Sequence, residues 1–333
     1  MIDIKENISL SQYTTFKIGG LAKYFTEVNS EETLVEAVEY AKKNNLPAYI
    51  IGGGSNILIS DKGFDGLVIR LTSQSNGSQP IVKMRMENGS YFLECWAGES
   101  LSSILKLATE SSLTGLEWAV GIPGTVGGAV RGNAGAFGSD MSQIVDDIRV
   151  LEIPNSKYQI SNLAYRQAGK FQIPNYKLQD CAFSYRNSVF KERSNLIITS
   201  VVLKLKKEGK AKIEAMIKEN MQKRANKQPQ GFSAGSFFKN PNCKDEKLIK
   251  QFETDAGMKC KDDKIPAGWL IAEAGFLGKK VGGVQVSENH GNFVVNLGSG
   301  TAEEVIMLAS MIKQKVREKF NIQLSEEIQY VGF

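Results

Sequence analysis

The stretch GIPGTVGGAVRGNAGAFG, residues Gly121 to Gly138, contains seven glycines in eighteen residues. At the usual glycine frequency of roughly 7%, a window of this length would contain about one. Because glycine has no Cβ atom, its backbone adopts positive φ angles easily and approaches other groups closely. The stretch therefore predicts one of two structures: a helix start packed tightly on a sheet, or a backbone surface lying directly against a ligand.

A second glycine-rich turn, IGGGSN from Ile51 to Asn56, directly follows a strand-like apolar run. Its successive N–H groups could form an anion-binding nest, and Ser55 and Asn56 could add donors. A plain hairpin turn is the alternative. The turn is neither a P-loop nor the G-x-G-x-x-G of a Rossmann helix. Two such turns behind apolar strands favour one long ligand, and a dinucleotide has that shape.

Composition is that of an ordinary globular protein. The 333 residues are 42% hydrophobic and 23% charged, enough for about two domains. No apolar run is long enough to span a bilayer, and the N-terminus lacks the pattern of a signal peptide. We therefore expect a cytoplasmic protein that does not bind membranes.

Charge and cysteine content argue against a nucleic-acid-binding protein and against a metalloprotein. Lys and Arg exceed Asp and Glu by 41 to 36, an excess milder than nucleic-acid binders usually show. Cys95, Cys181, Cys243 and Cys260 are far apart in sequence, and His290 is the single histidine. No metal site is predicted from these spacings, and the thiols are expected to be reduced and buried.

Periodicity and capping residues divide the chain into segments. Ser30 can cap a first helix, and Thr301 with Glu304 forms a capping-box pattern ahead of a late one. A polar turn-forming run, Ser73 to Pro80, marks a boundary after a small α+β lobe, and the closing EEIQYVGF is strand-like. The predicted segments are residues 1–72, 73–207, 208–320 and 321–333.

Six motifs occur in order from about Tyr13 to the C-terminus. They are IGGGSNILI (51–59), GLEWAVGIPGTVGGAVRGNAGAFG (115–138), FSYRNSVF (183–190), SAGSFFKNP (233–241), AGWLIAEAGF (267–276) and VGGVQVSENHGNFVVN (281–296). In this series the chain resembles the UDP-N-acetylenolpyruvoylglucosamine reductase (MurB) family. Only Lys206 to Phe232 separate Leu205 from SAGSFF, so it resembles the type without the long tyrosine-bearing loop.

The resemblance implies an α+β fold. A two-lobed FAD-binding domain of the vanillyl-alcohol-oxidase (PCMH) type would comprise residues 1–72 and 73–207. A C-terminal α+β substrate domain would comprise residues 208–320, and residues 321–333 would form a strand carrying a catalytic glutamate. The implied activity is NADPH-dependent reduction of UDP-N-acetylglucosamine enolpyruvate to UDP-N-acetylmuramate in peptidoglycan synthesis. FAD is the implied cofactor and NADPH the co-substrate, with no obligate protein partner.

The two glycine-rich turns would then face the flavin. One would wrap the pyrophosphate, and the other would pass near the isoalloxazine ring. The implied cofactor-binding residues are Gly52, Gly53, Gly54, Ser55, Asn56, Gly121, Ile122, Pro123, Gly124, Thr125, Gly127 and Gly128.

The family's catalytic residues match Arg186, Ser236 and Glu327. A guanidinium can hold a carboxylate with two hydrogen bonds while negative charge develops. A serine hydroxyl can protonate an enolate carbon if a cation such as Lys239 lies nearby. As alternatives, Arg186 would form a structural salt bridge and Ser236 a turn or helix cap.

Glu327 would lie against the carboxylate region of the enolate, which requires a raised pKa and hence partial burial. Adjacent Glu326 is the rival, and strand alternation would send the two side chains to opposite faces. The family commonly has arginine two residues after this glutamate, whereas this chain has Gln329. That departure leaves the partner of Glu327 open.

Further polar residues are expected to contact the sugar and diphosphate. As alternatives, the lysines among them would be solvated surface residues, and His290 would be an ordinary hydrogen-bonded histidine. The predicted contacts are Tyr185, Lys227, Lys239, Asn240 and His290. Two other functions stay open: another FAD-dependent oxidoreductase or oxidase on the same scaffold, and a nucleotide-binding module using the basic segment Lys204 to Lys227. An oxidase has no enolate carbon to protonate, so the predicted serine argues against it.

Overall fold

The computed structural model describes residues 2–74, 80–153, 171–226 and 228–333. The chain divides into two compact units. The first unit comprises residues 1–5, 24–53 and 66–223, and the second unit comprises residues 6–23, 54–65 and 224–333. Both units therefore use residues from the N-terminal lobe, and the predicted boundaries after residues 72, 207 and 320 stay predictions.

The helices are α1 (Glu31–Lys43), α2 (Leu101–Glu110), α3 (Val126–Arg131), α4 (Val189–Glu192), α5 (Lys210–Ala225), α6 (Glu246–Ala256), α7 (Ala267–Glu273) and α8 (Ala302–Phe320). The strands are β1 (Lys5–Ser9), β2 (Leu21–Val28), β3 (Ala48–Ile51), β4 (Ile57–Ile59), β5 (Phe64–Leu71), β6 (Val82–Glu87), β7 (Ser90–Trp96), β8 (Leu113–Thr114), β9 (Gly135–Ala136), β10 (Ser139–Asp140), β11 (Val145–Glu152), β12 (Asn175–Lys177), β13 (Leu196–Lys207), β14 (Lys280–Val281), β15 (Val284–Val286), β16 (Val294–Asn296) and β17 (Gln329–Val331).

A six-stranded sheet organises the first unit. Its order is β12-β11-β13-β7-β6, with β8 also paired to β13, and the pairings along this order are antiparallel. Strand β3 pairs in parallel with β5, from Ala48 opposite Leu67 to Ile51 opposite Arg70. The glycine-rich turn after β3 and the one ahead of α3 both begin in this unit.

Local capping explains where the predicted helices start. The Ser30 hydroxyl accepts the Thr33 N–H at 3.2 Å, which starts α1 as predicted. Thr301 and Glu304 form the predicted capping box of α8. The two Asp61 carboxylate oxygens also accept the N–H groups of Ala302 and Glu303, so the start of α8 is held twice.

The second unit contains the antiparallel meander β14-β15-β16, the parallel pair β4–β17, and a core between them and α8. The predicted C-terminal strand is too long, since only Gln329–Val331 is a strand. Glu327 lies in a bend just before it, because its N–H bonds to the carbonyl of Phe237 rather than to a strand neighbour.

The four thiols are free. Cys95, Cys181 and Cys243 are buried as predicted, whereas Cys260 is only partly buried. Burial raises the pKa of Cys181 to about 12, with help from the charges of Asp180 and Asp147. In the part of the chain that the structure describes, no helix is both long and apolar enough to cross a membrane.

Candidate active site

The two glycine-rich turns of the first unit pack against each other. A Cβ atom on Gly53 would lie 2.6 Å from the Cα of Gly124, and one on Gly52 would lie 2.5 Å from Oγ1 of Thr125. Real Cβ atoms do not come this close, so glycine is required at both positions. Gly124 itself has a φ of +124°, which other residues rarely adopt. Tight packing therefore explains these three glycines without a ligand.

The neighbouring pair Gly127 and Gly128 behaves differently. Gly127 is buried, and its Cβ would lie 2.7 Å from the Cβ of Ala97. Gly128 is exposed, and its Cβ would meet only Oγ1 of Thr125, at 3.4 Å. Glycine inside a helix costs about 0.5–1 kcal/mol relative to alanine, and packing does not require it at Gly128. A flat group lying against this backbone would require it, so the surface fits a ring system such as that of a flavin.

The residues before α3 present backbone at the surface. Gly121 and Pro123 are exposed and Ile122 is half-buried, while the buried Thr125 caps α3 by accepting the Gly128 N–H at 3.3 Å. Gly121 has a φ of +72°. The predicted isoalloxazine-facing segment is thus an accessible loop of the first unit, with a backbone conformation at Gly121 that favours glycine.

Arg186 lies at the tip of a tight turn in the first unit. Ser184 and Asn187 exchange both backbone hydrogen bonds, each at 3.1 Å, and Arg186 has a φ of +55°. A left-handed conformation is unfavourable for a residue with a Cβ, by about 1 kcal/mol or more.

The Arg186 side chain is fixed by the glycine-rich stretch. Its Nη2 donates to the carbonyl of Gly135 at 2.7 Å, and its guanidinium carbon lies 5.3 Å from the ring centroid of Tyr185. The buried Asn133 supports the turn by donating from Nδ2 to the carbonyl of Ser184 at 3.0 Å. The structure thereby brings Arg186 and Tyr185 together with residues 121–138.

In the second unit, Ser236 begins a segment held by backbone and side-chain hydrogen bonds. Ser236 is half-buried and forms an antiparallel bridge with Phe293. The next residue, Phe237, donates its N–H to the carbonyl of Asn292 at 2.8 Å and accepts the N–H of Glu327 at 2.8 Å. Ser236 and Glu327 thus lie on hydrogen-bonded neighbouring segments, as a shared site would require.

Glu326 and Glu327 have different surroundings. The Glu326 carboxylate accepts from Nζ of Lys313 at 2.8 Å. Burial, followed by the charge of Glu326 and a hydrogen bond with it, raises the pKa of Tyr330. Both glutamates are half-buried next to the Ser236 segment, and the Glu326 carboxylate is engaged with Lys313 of α8 and Tyr330 of β17.

The second glycine-rich turn ends at Asn56 in the second unit. Its Nδ2 donates to the carbonyl of Glu327 at 3.3 Å, and its own carbonyl accepts the N–H of Gln329 at 3.0 Å. Asn56 was predicted to donate to a pyrophosphate. Its side chain also holds Glu327, a role with no signal in the sequence because 271 residues separate the two.

The remaining predicted residues have mixed surroundings. Asn240 uses Oδ1 to accept the N–H of Ala267 at 3.0 Å, so it caps α7. His290 accepts the N–H of Asn292 at Nδ1, 3.2 Å, which is the hydrogen-bonded alternative considered for it. Lys239 is half-buried, and its N–H bonds to the carbonyl of Ser325. Lys227 lies outside the described residues.

Comparison with known proteins identifies the class first. Residues 22–159 match the family model of the FAD binding domain, which confirms the predicted α+β fold with FAD as cofactor. Residues 227–331 match the model of the UDP-N-acetylenolpyruvoylglucosamine reductase C-terminal domain. The chain is thus an FAD-binding protein with a second, C-terminal domain.

Full-length relatives then identify the family. UDP-N-acetylenolpyruvoylglucosamine reductase of Caldanaerobacter subterraneus is 34% identical over 98% of this chain and 93% of its own. That of Anoxybacillus flavithermus is 34% identical over 99% and 94%. The crystal structure of the Thermus caldophilus enzyme superposes with a TM-score of 0.71, at 30% identity and over 99% and 100% of the chains. The chain belongs to the UDP-N-acetylenolpyruvoylglucosamine reductase family, as its motifs predicted.

Proposed function

We propose that the chain reduces UDP-N-acetylglucosamine enolpyruvate to UDP-N-acetylmuramate with NADPH as the electron donor, in peptidoglycan synthesis and in the cytoplasm. Its relatives carry the name of this reductase. The observation that carries the proposal is the hydrogen-bonded pairing of the Ser236 segment with the Glu327 segment in the second unit. An enolate becomes the saturated product by taking up one proton, which Ser236 would supply, while the carboxyl group of Glu327 would be a hydrogen-bonding partner for the carboxylate region of the substrate.

The flavin would lie against the exposed backbone of Gly121–Gly128. The accessible Gly128 and the exposed turn before α3 support this placement, and the turn Gly52–Asn56 would hold the pyrophosphate. When bound, FAD would supply the hydride chemistry, accepting a hydride from NADPH and passing it to the terminal enolpyruvyl carbon. The protein's own task is then to bind the anionic substrate, stabilise the added negative charge and deliver a proton.

Arg186 would bind the enolpyruvyl carboxylate. Its left-handed backbone and its hydrogen bond to Gly135 hold the guanidinium in one place before substrate arrives. Two parallel N–H···O bonds would strengthen as charge moves onto the carboxylate and enolate. Lysine in this position would keep the charge and lose the paired geometry.

Ser236 would hold the proton that the enolate carbon takes up. A hydroxyl is a weak acid, so the charge of Lys239, three residues further along, would assist it. Glu327 would lie against the carboxylate region of the enolate, and the engagement of Glu326 with Lys313 and Tyr330 supports this choice between the two glutamates. Tyr185, Lys227, Lys239, Asn240 and His290 are proposed to contact the sugar and diphosphate.

The test is consumption of NADPH by the purified protein with and without the enolpyruvyl UDP-sugar. We expect yellow protein with about one FAD per chain, and NADPH oxidation that depends on the enolpyruvyl compound. UDP-N-acetylglucosamine, which lacks the enolpyruvyl group, is the matched control and should give only background oxidation. Oxidation driven equally well by oxygen alone would instead identify an oxidase, and colourless protein that fails to bind added FAD would identify a non-catalytic module.

A further inference from the structure

We propose that Asn292 is the positioning residue for proton delivery by Ser236, a role that rests on the proposed function. The Asn292 side chain hydrogen-bonds to the backbone of Phe238. Asn292 acts on the backbone of the two residues that follow Ser236.

The contacts of Asn292 form a clamp on both sides of Phe238. Its Oδ1 accepts the N–H of Phe238 at 2.9 Å, and its Nδ2 donates to the carbonyl of Phe238 at 2.8 Å. Its own carbonyl accepts the N–H of Phe237 at 2.8 Å, and its N–H donates to Nδ1 of His290. The side chain and backbone of one residue therefore hold the three successive peptide groups that follow Ser236.

Burial makes this clamp strong. Asn292 is 3% exposed, and Phe237 and Phe238 are each 1% exposed. Water cannot replace a lost partner at such a position, so an unsatisfied amide costs about 1–3 kcal/mol. Asparagine is the side chain that offers one acceptor and one donor in the spacing of a peptide group, as a paired strand would.

The same clamp reaches Glu327. The carbonyl of Phe237 accepts the Glu327 N–H, so a shift of the Phe237 backbone moves both proposed catalytic groups. Proton transfer depends on heavy-atom distances of about 2.6–3.2 Å, and displacement of about 1 Å can cost 10²-fold in rate. Loosening the clamp should therefore slow oxidation of the reduced flavin by substrate, which includes the proton step. Reduction of the flavin by NADPH should be unaffected.

Asn296, four residues later, is a matched control. It is also 3% exposed, with Oδ1 accepting from Gly298 and Gly300 and Nδ2 donating to the carbonyls of Phe16 and Lys17. Its exposure equals that of Asn292, and its side chain makes four hydrogen bonds to backbone groups where that of Asn292 makes two. Its side chain holds other segments, so it reports what a buried asparagine contributes to stability alone.

The experiment follows the flavin by rapid mixing in FAD-loaded Asn292→Ala, Asn296→Ala, Ser236→Ala and the double variant Asn292→Ala/Ser236→Ala. We expect Asn292→Ala to slow oxidation of the reduced flavin by the enolpyruvyl substrate about 10- to 100-fold. Reduction by NADPH should stay within about twofold, and Asn296→Ala should leave both rates near the parent. Because the clamp acts on Ser236 and, through Phe237, on Glu327, Asn292→Ala should slow the Ser236→Ala variant less than it slows the parent.

An equal slowing by Asn292→Ala in both backgrounds, or the same slowing in Asn296→Ala, would overturn the inference. Parent-like oxidation in Ser236→Ala would instead show that the proposed proton donor is wrong, which separates the two failures. If Asn292→Ala does not fold, Asn292→Gln takes its place in the cycle. It keeps the amide donor and acceptor on a side chain one methylene longer, so it displaces the clamp, and we expect a slowing that is again smaller in the Ser236→Ala background.

Discussion

The glycine-rich stretch of the first unit and the Ser236 segment of the second unit hold their backbones in opposite ways. In the first unit, Gly53 and Gly124 approach each other because neither has a side chain. In the second unit, Phe237 and Phe238 are held by the added donors and acceptors of Asn292. The backbone packing of the first region is therefore disturbed by added side-chain atoms, and that of the second region is disturbed by the loss of polar side-chain atoms.

This difference separates cofactor binding from proton delivery. A surface of bare backbone suits a large flat group that must lie close, whereas a donor hydroxyl needs a rigid attachment at a fixed distance. Variants that add a methyl group in the first unit should affect flavin binding, and variants that remove a polar group in the second unit should affect one half-reaction.

The largest effect is expected from Ser236→Ala. If Ser236 only protonates the substrate carbon, its loss should slow oxidation of the reduced flavin by substrate about 10²- to 10⁴-fold, as is typical of a positioned general acid. FAD content and flavin reduction by NADPH should remain near the parent, since neither involves that carbon. Single-turnover absorbance, recorded once with NADPH and once with substrate, measures the two halves separately.

Arg186→Lys is the companion variant from the first unit. It keeps the charge and loses the bidentate geometry, so it should slow the same half-reaction and spare reduction by NADPH. If Ser236→Ala were oxidised by substrate as fast as the parent, another group would be the proton donor. The rigid attachment of the Ser236 segment would then have no role in proton delivery.

The next effect distinguishes two adjacent glutamates. Glu327→Gln should slow substrate-driven flavin oxidation by about 10²-fold, the low end for a lost acid–base group. Glu326→Gln weakens a partly exposed ion pair with Lys313, at 2.8 Å, and should cost less than about 1 kcal/mol of stability with activity near the parent. Activity and urea unfolding of both variants test this, and the reverse pattern would assign the role to Glu326.

Local signals made much of the fold predictable. Ser30 and Thr301 cap helices through residues three positions away, and the strand-like runs depend on neighbouring residues alone. Asp61 caps the same α8 from 241 residues away, which no pattern in the sequence indicates. The closing strand was predicted too long for the same reason, because Glu327 bonds to Phe237 instead of extending it.

The candidate site likewise contains features with a local sequence signal and features without one. The glycines of the first unit were visible because an unusual composition is itself the signal. The left-handed turn at Arg186 was not, since SYRN contains no glycine, and the clamp by Asn292 depends on a partner 54 residues away. Sequence patterns therefore indicate candidate residues, whereas the contacts that hold them depend on partners far along the chain.

A smaller effect tests which glycines face the flavin. Gly127→Ala would place a Cβ 2.7 Å from that of Ala97, so it should destabilise the protein by about 1–3 kcal/mol. Gly128→Ala meets only ordinary contacts and should stabilise the FAD-free protein by about 0.5–1 kcal/mol. Its affinity for FAD should nevertheless fall about tenfold or more, or about 1.4 kcal/mol.

Thermal unfolding of the FAD-free variants and flavin fluorescence titration measure these two quantities. Opposite signs in stability and affinity for Gly128→Ala are the specific expectation, since a purely structural glycine would change both together or neither. Parent-like FAD affinity in Gly128→Ala would show that the exposed face of α3 does not contact the cofactor.

The smallest effect is a pH dependence in the first unit. Cys181 is fully buried and its pKa is raised to about 12 chiefly by burial, from an ordinary value near 9. Between these two values the folded chain keeps a proton that the unfolded chain has lost, so this thiol's contribution to stability decreases as pH rises through that window. Cys181→Ala lacks the contribution, and a small buried truncation costs about 1 kcal/mol. Urea unfolding should therefore show a deficit relative to the parent at pH 7 that becomes smaller at pH 10. A deficit of the same size at both pH values would mean that the buried thiol ionises no differently from the unfolded one.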